Sequence, residues 1–215
     1  MRSSRRTLTL GAAASRARAV CIFVHGRGQS PDEMRSHVFD RLVAPDVAFV
    51  LPRAPRAAWW DARAVAPLTP ATRAQLSEAI DVLSGVVAQV RSEMAGRPLL
   101  LAGFSQGACL CVEYVLAGLP RPEALAALTG CRVGVADDVR PEASLSGLPV
   151  YLTGGDADPW IPVSAYDEAA RALRRCDARL RTALFPGRPH EVCGTEIDVM
   201  GSMLDDLVAG GPIGL

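Results

Sequence analysis

Two hydrophobic rhythms alternate along this chain: short unbroken apolar runs, and longer stretches in which apolar residues return every three or four positions. Ala19-Val20-Cys21-Ile22-Phe23-Val24 has no polar face, which suits a central strand buried on both sides, and His25-Gly26-Arg27-Gly28 closes it in a glycine loop. Ser30-Pro31-Asp32-Glu33 joins a capping-box pattern to proline at the first helical position, predicting a helix to about Val43. Further strands are predicted at Val47 to Leu51, Pro98 to Ala102, Leu125 to Gly130, Leu148 to Thr153 and Arg179 to Phe185, while Thr7-Leu8-Thr9-Leu10 alternates as an edge strand would. Leu76, Ile80, Leu83, Val87, Val90 and Met94 mark one buried stripe on a long helix that begins at Thr69-Pro70. Ser164 to Cys176 reads as a helix with Arg171, Arg174 and Arg175 late, where the helix dipole favours cations. Ile197, Met200, Leu204 and Leu207 face inward on a closing helix that Gly210-Gly211-Pro212 ends.

Strands alternating with helices imply an α/β fold, a mostly parallel sheet with helices on both faces. At 215 residues and 49% hydrophobic content, the chain suits a single domain, 1–215, and leaves no room for a large lid domain. The formal net charge is +0, and the basic residues, all arginine, are scattered among acids, which argues against a nucleic-acid partner. No apolar run approaches the length of a membrane span. The three histidines lack ligand spacing and Asp156 with Asp158 is too little for a dedicated site, so neither metal nor other cofactor is expected. Six dispersed cysteines without a C-x-x-C pair read as reduced, mostly buried thiols of a cytoplasmic protein. Ser4-Arg5-Arg6 and the residues up to Ala14 superficially resemble a twin-arginine export signal, but Arg16 and Arg18 break the apolar stretch, and an uncleaved strand is expected instead.

The chemistry concentrates at Gly103-Phe104-Ser105-Gln106-Gly107, between the run Pro98 to Ala102 and the helical stretch Ala108 to Tyr114. Strand, tight turn and helix in that order lift a serine hydroxyl above the sheet edge, and the flanking glycines permit a close approach of strand and helix. A serine needs a base to take its proton, and His190, in a loop after the final strand, is the candidate, rather than His25 beside the glycine loop or His37 in the first helix. A carboxylate must orient that imidazole. Asp156 and Asp158 compete, and Asp158 is preferred because Asp158-Pro159 opens a turn leading into a helix. The tetrahedral oxyanion of acyl transfer needs fixed donors, for which the Gln106 and Arg27 N–H groups are placed. Ser105, Asp158, His190 and the 25–28 loop all fall at predicted carboxyl ends of strands, where parallel sheets gather their chemistry, and the order Ser, Asp, His is that of the α/β-hydrolase fold.

With these four segments the chain resembles the phospholipase/carboxylesterase family of α/β-hydrolases, which includes the acyl-protein thioesterases. His25-Gly26-Arg27-Gly28 looks like the family's oxyanion loop, Gly103 to Gly107 its serine elbow, Asp158-Pro159-Trp160-Ile161-Pro162 its Asp-Pro-x-x-Pro segment, and Pro189-His190-Glu191 the surroundings of its histidine. The resemblance implies that Trp59 and Trp60, in the proline-rich loop Pro52 to Pro70, belong to an aromatic loop beside the acyl pocket. It also allows a homodimer, without identifying a contact surface. Many relatives carry an apolar residue in place of Arg27, an acid in place of Gln29 and glycine in place of Pro189. Acyl preference therefore does not transfer, and Arg27 opens the alternative of a negatively charged substrate.

The expected activity is hydrolysis of a small-molecule carboxylic ester or thioester through Ser105, His190 and Asp158. An acyltransferase on the same fold and a catalytically silent small-molecule receptor are the alternatives. Cys193, near His190, lacks an elbow and reads as structural.

Overall fold

The computed structural model describes residues 7–215. The Arg5-Arg6 pair of the export-like pattern lies outside the described residues, and the segment directly after it is a strand. Seven strands, β1 (Thr7–Gly11), β2 (Ala19–Val24), β3 (Val47–Pro52), β4 (Leu99–Phe104), β5 (Ala124–Leu128), β6 (Pro149–Gly155) and β7 (Arg179–Phe185), form one sheet in the order β1-β3-β2-β4-β5-β6-β7. Neighbours run parallel throughout except β1, which pairs antiparallel with β3, Thr9 opposite Val50. The helices are α1 (Pro31–His37), α2 (Pro70–Glu93), α3 (Gln106–Leu116), α4 (Val163–Arg175) and α5 (Gly194–Ala209).

The two-residue period of a strand divides β2 between two cores. Val20, Ile22 and Val24 pack with α2, α3 and α4, whereas Ala19, Cys21 and Phe23 pack with α1 and α5. Both faces are covered, which is why β2 to β5 read as unbroken apolar runs rather than as alternation. Every residue of α3 is buried. Its one acid, Glu113, meets Arg132 in a two-pronged ion pair (Nε to Oε1 2.8 Å, Nη2 to Oε2 3.1 Å) and also accepts from the Val133 N–H, fixing the loop beyond β5.

The first helix is shorter than its sequence suggests. It ends at His37, and Phe39–Arg41 forms a single 3-10 turn instead. Val38 is fully buried while Phe39 stands edge-on to Phe23 at 5.3 Å, so two consecutive side chains turn toward the core, which a continued amphipathic helix could not supply. On α2, Thr72 and Ala79 join the buried stripe and Ile80 is only half-buried. The six cysteines are free thiols, five of them buried. Burial pushes the Cys21, Cys111 and Cys193 thiols above their ordinary range, away from the nucleophilic thiolate. No helix among the described residues is long and apolar enough to cross a membrane.

Candidate active site

At the end of β4 the backbone turns sharply through Ser105 (φ 56, ψ −122), a left-handed conformation costly for any residue with a side chain, before entering α3. The turn holds because α3 runs directly over the ends of the strands. A Cβ on Gly107 would lie 2.0 Å from the Val24 carbonyl oxygen, and one on Gly103 would meet the Gly107 carbonyl at 2.7 Å. The Ser105 N–H is tied to the Leu128 carbonyl of β5. Strain is thus imposed by the packing of a helix and two strands, and the hydroxyl projects from the carboxyl edge of the sheet.

His190 follows β7 and Asp158 follows β6, two adjacent parallel strands, so their loops rise side by side. His190 Nε2 lies 2.7 Å from Ser105 Oγ, and Nδ1 lies 2.6 Å from Asp158 Oδ2. The other carboxylate oxygen accepts from the N–H groups of Trp160 (2.7 Å) and Ile161 (3.0 Å), so the Asp-Pro turn grips its own aspartate. The Asp158 side chain is fully buried. Because a carboxylate only accepts, the imidazole proton sits on Nδ1 and Nε2 faces the serine O–H as an acceptor. Asp156, the rival acid, instead accepts from the Gly187 N–H at 2.6 Å and steadies the loop that leads to His190.

Above β2, the Gly28 N–H is spent on the Ala57 carbonyl and the Gly26 N–H on Gln29 Oε1 at 3.0 Å. The Arg27 and Gln106 N–H groups have no protein acceptor among the described residues. The Gln29 side-chain oxygen thereby fixes the glycine loop from within.

Trp59 and Trp60 require a correction. Both are buried in the core with α2 and α3 and do not line the cavity at Ser105. Their part is to brace the site from behind: the Trp59 Nε1–H donates to the His25 carbonyl, and the Gln106 carboxamide accepts from the Trp59 N–H and donates to the Trp60 carbonyl. Two large aromatics in a proline-rich loop carry no sequence signal separating a core plug from a pocket wall. The wall is formed instead by Trp160, Ile161, Arg27, Arg63 and Ala64, around a cavity of about 330 Å³ that also touches Ser105, Gln106 and His190. Trp160 is 57% exposed at its mouth. A second cavity, of about 380 Å³, borders His190 and is lined by Gln29, Met34, His37, Arg41 and Phe104.

Two buried groups absent from the sequence reading support the histidine loop. Arg188 Nη1 pairs with Glu196 Oε2 at 2.9 Å and also donates to the Glu191 carbonyl, while Nη2 donates to Thr129 Oγ1 at 2.8 Å. Glu196, wholly buried, further accepts from the Cys193 N–H and the Thr153 hydroxyl. The loop carrying His190 is therefore pinned to β6, α5 and the turn after β5.

His25 is a third support. Its Nε2 accepts from the Ala54 N–H at 3.0 Å and its Nδ1 donates to the Gly26 carbonyl at 2.7 Å, an arrangement open only to the neutral ring. Burial, foremost, holds its pKa below the ordinary 6.5. The unfolded chain thus binds more protons below pH 6.5, so this contribution to stability is complete above 6.5 and is lost as pH falls toward the folded value. Urea unfolding between about pH 5 and 8 is expected to show a stability loss on acidification from this ring, a component missing in His25→Gln.

An open parallel sheet carrying a serine on a strained strand-to-helix turn, with histidine and aspartate on later loops, defines an α/β-hydrolase. The phospholipase/carboxylesterase family profile matches residues 8–207, and the chain belongs to that family, among hydrolases that act on ester bonds. It is 25% identical to acyl-protein thioesterase 1 of Gibberella zeae over 89% of this chain and 92% of that one, and 24% identical to acyl-protein thioesterase 1 of Neurospora crassa over 94% and 92%. A phospholipase/carboxylesterase from Dyadobacter fermentans superposes with a TM-score of 0.82 at 27% identity, covering 93% of this chain and 95% of that one.

Proposed function

We propose that the protein is a cofactor-independent serine hydrolase, active as one domain, that cleaves small carboxylic esters or thioesters through a covalent acyl-enzyme. The reading is carried by the continuous line of hydrogen bonds from Asp158 through His190 to Ser105, each link under 2.8 Å. Ser105 Oγ attacks the carbonyl carbon while His190 Nε2 takes the hydroxyl proton, and Asp158 holds the imidazole orientation and balances its charge. The carbonyl oxygen, now negative, receives the free N–H groups of Arg27 and Gln106, the latter at the positive end of α3. Collapse of the tetrahedral adduct expels the alcohol or thiol, which takes the proton from Nε2. Water, deprotonated by the same nitrogen, then attacks the acyl-serine and releases the free acid.

A fluorophosphonate probe tests the covalent step. One equivalent is expected to add to the native protein, with the mass increase mapping to the peptide that contains Ser105, and heat-unfolded protein should take up none. Modification elsewhere, or none at all, would reject Ser105 as the nucleophile.

A further inference from the structure

The cavity in front of Ser105 is lined by two guanidinium groups that form no ion pair with an acid among the described residues. Arg53 and Arg56, on the same loop after β3, are paired with Asp32 at 2.7 Å and Glu78 at 3.8 Å. Arg27 and Arg63, which line the cavity, have no carboxylate partner among the described residues. Each is nevertheless held in place by backbone carbonyls. Arg27 Nη2 donates to the Trp60 carbonyl at 3.0 Å and to that of Ala62, and Arg63 Nη2 approaches the Pro159 carbonyl at 3.3 Å while its Cζ lies 5.5 Å from the centre of the Trp160 ring. In both, the hydrogen bonds to protein fall on Nη2, leaving Nε–H and the two Nη1–H donors of each fork without an acceptor among the described residues. Asp61, the acid in the same wall, is turned to Gln75, which donates to its Oδ2 at 2.6 Å.

Carbonyl anchors fix a guanidinium without quenching its charge, and the aromatic face of Trp160 steadies a cation that is only partly hydrated. The Trp60 carbonyl that holds Arg27 also accepts from Gln106 Nε2, so the Arg27 fork sits beside the residue that follows the nucleophile. Ser105 lines this cavity and not the second one beside His190, so the space open to an acyl group on Ser105 Oγ is the one walled by Arg27, Arg63 and Trp160.

We propose that Arg27 and Arg63 select an acyl group that ends in a carboxylate, so that the preferred substrate is a monoester or monothioester of a short dicarboxylic acid; this rests on the serine-hydrolase reading above. Attack, oxyanion formation and deacylation proceed as for a neutral acyl group, and the products are the alcohol or thiol and the dicarboxylate. The two arginines act on binding, their forks matching the planar carboxylate, and they leave the reacting bonds to Ser105 and His190.

The test compares mono-p-nitrophenyl adipate with its methyl ester, which keeps the chain length and leaving group and removes the charge. Native protein is expected to favour the acid in kcat/KM by about tenfold, mainly through KM, with the preference shrinking as salt is raised. Arg63→Gln and Arg27→Gln are each expected to reduce that ratio about threefold, and the double variant to bring it near one. Because the ratio is internal to each variant, any general loss of turnover cancels. A preference for the methyl ester in native protein, or a ratio unmoved in the double variant, overturns the proposal while leaving the hydrolase reading intact. Turnover of neither ester by folded native protein overturns the hydrolase reading and this inference with it.

Discussion

Replacing Ser105 with alanine is expected to lower kcat toward p-nitrophenyl butyrate by at least about 10,000-fold, the scale seen when a hydroxyl nucleophile is removed from such a site. The fold should tolerate the change. Alanine keeps the Cβ that already sits at φ 56, the N–H bond to Leu128 is made by the backbone, and the hydroxyl's one partner among the described residues is His190 Nε2. Steady-state release of p-nitrophenolate measures the loss, and a melting temperature within about 2 °C of the native value shows that it is chemical. Turnover within tenfold of native in the alanine variant would falsify the assignment, because no other residue described at this edge pairs a hydroxyl or thiol with an imidazole.

The largest effect on stability is expected at Arg188. Arg188→Met leaves Glu196 as a wholly buried carboxylate stripped of its counter-charge, and releases the Glu191 carbonyl and the Thr129 hydroxyl at the same time. A loss of about 3–5 kcal/mol follows from breaking one side of a buried pair, equivalent to roughly 10 °C in melting temperature for a chain of this size. The double substitution Arg188→Met with Glu196→Gln should recover part of that loss, because the remaining group is neutral and still hydrogen-bonds to Thr153 and Cys193. Urea unfolding of the two single variants and the double measures the coupling. Arg188→Met should also slow ester turnover, since His190 is two residues away on the segment that this pair ties down. A single-variant cost below about 1 kcal/mol would show that the loop is held by other contacts.

These expected effects fall on residues of very different legibility. Ser105 was readable because the elbow is local: strand, glycines and helix lie within about fifteen consecutive residues, and the steric demand at Gly107 is written as the absence of a side chain. Asp158 was separable from Asp156 by the turn chemistry of Asp-Pro, and that turn does grip the carboxylate through the Trp160 and Ile161 N–H groups. Arg188 and Glu196 were not readable. In sequence they are a loop arginine and an acid in the first turn of a helix, ordinary surface positions, and only the packing of α5 against the sheet buries them together. Trp59 and Trp60 failed for the opposite reason, since aromatic residues in a long loop suit a pocket and a core equally well. Arg63 was hidden similarly: nothing within its own segment marks the approach of Trp160, almost a hundred residues later.

By itself the sequence determined the order of strands and helices, the burial of the central strands on both faces, and which residue types stand at the carboxyl ends, because hydrophobic period, caps and glycine turns act over a few neighbouring residues. The tertiary structure decided which aromatics wall the cavity, which charges are buried in pairs and which arginines line the cavity without an ion-pair partner among the described residues. Those outcomes depend on the distance between side chains from separate strands and loops, and that distance exists only once the sheet has brought the strands side by side.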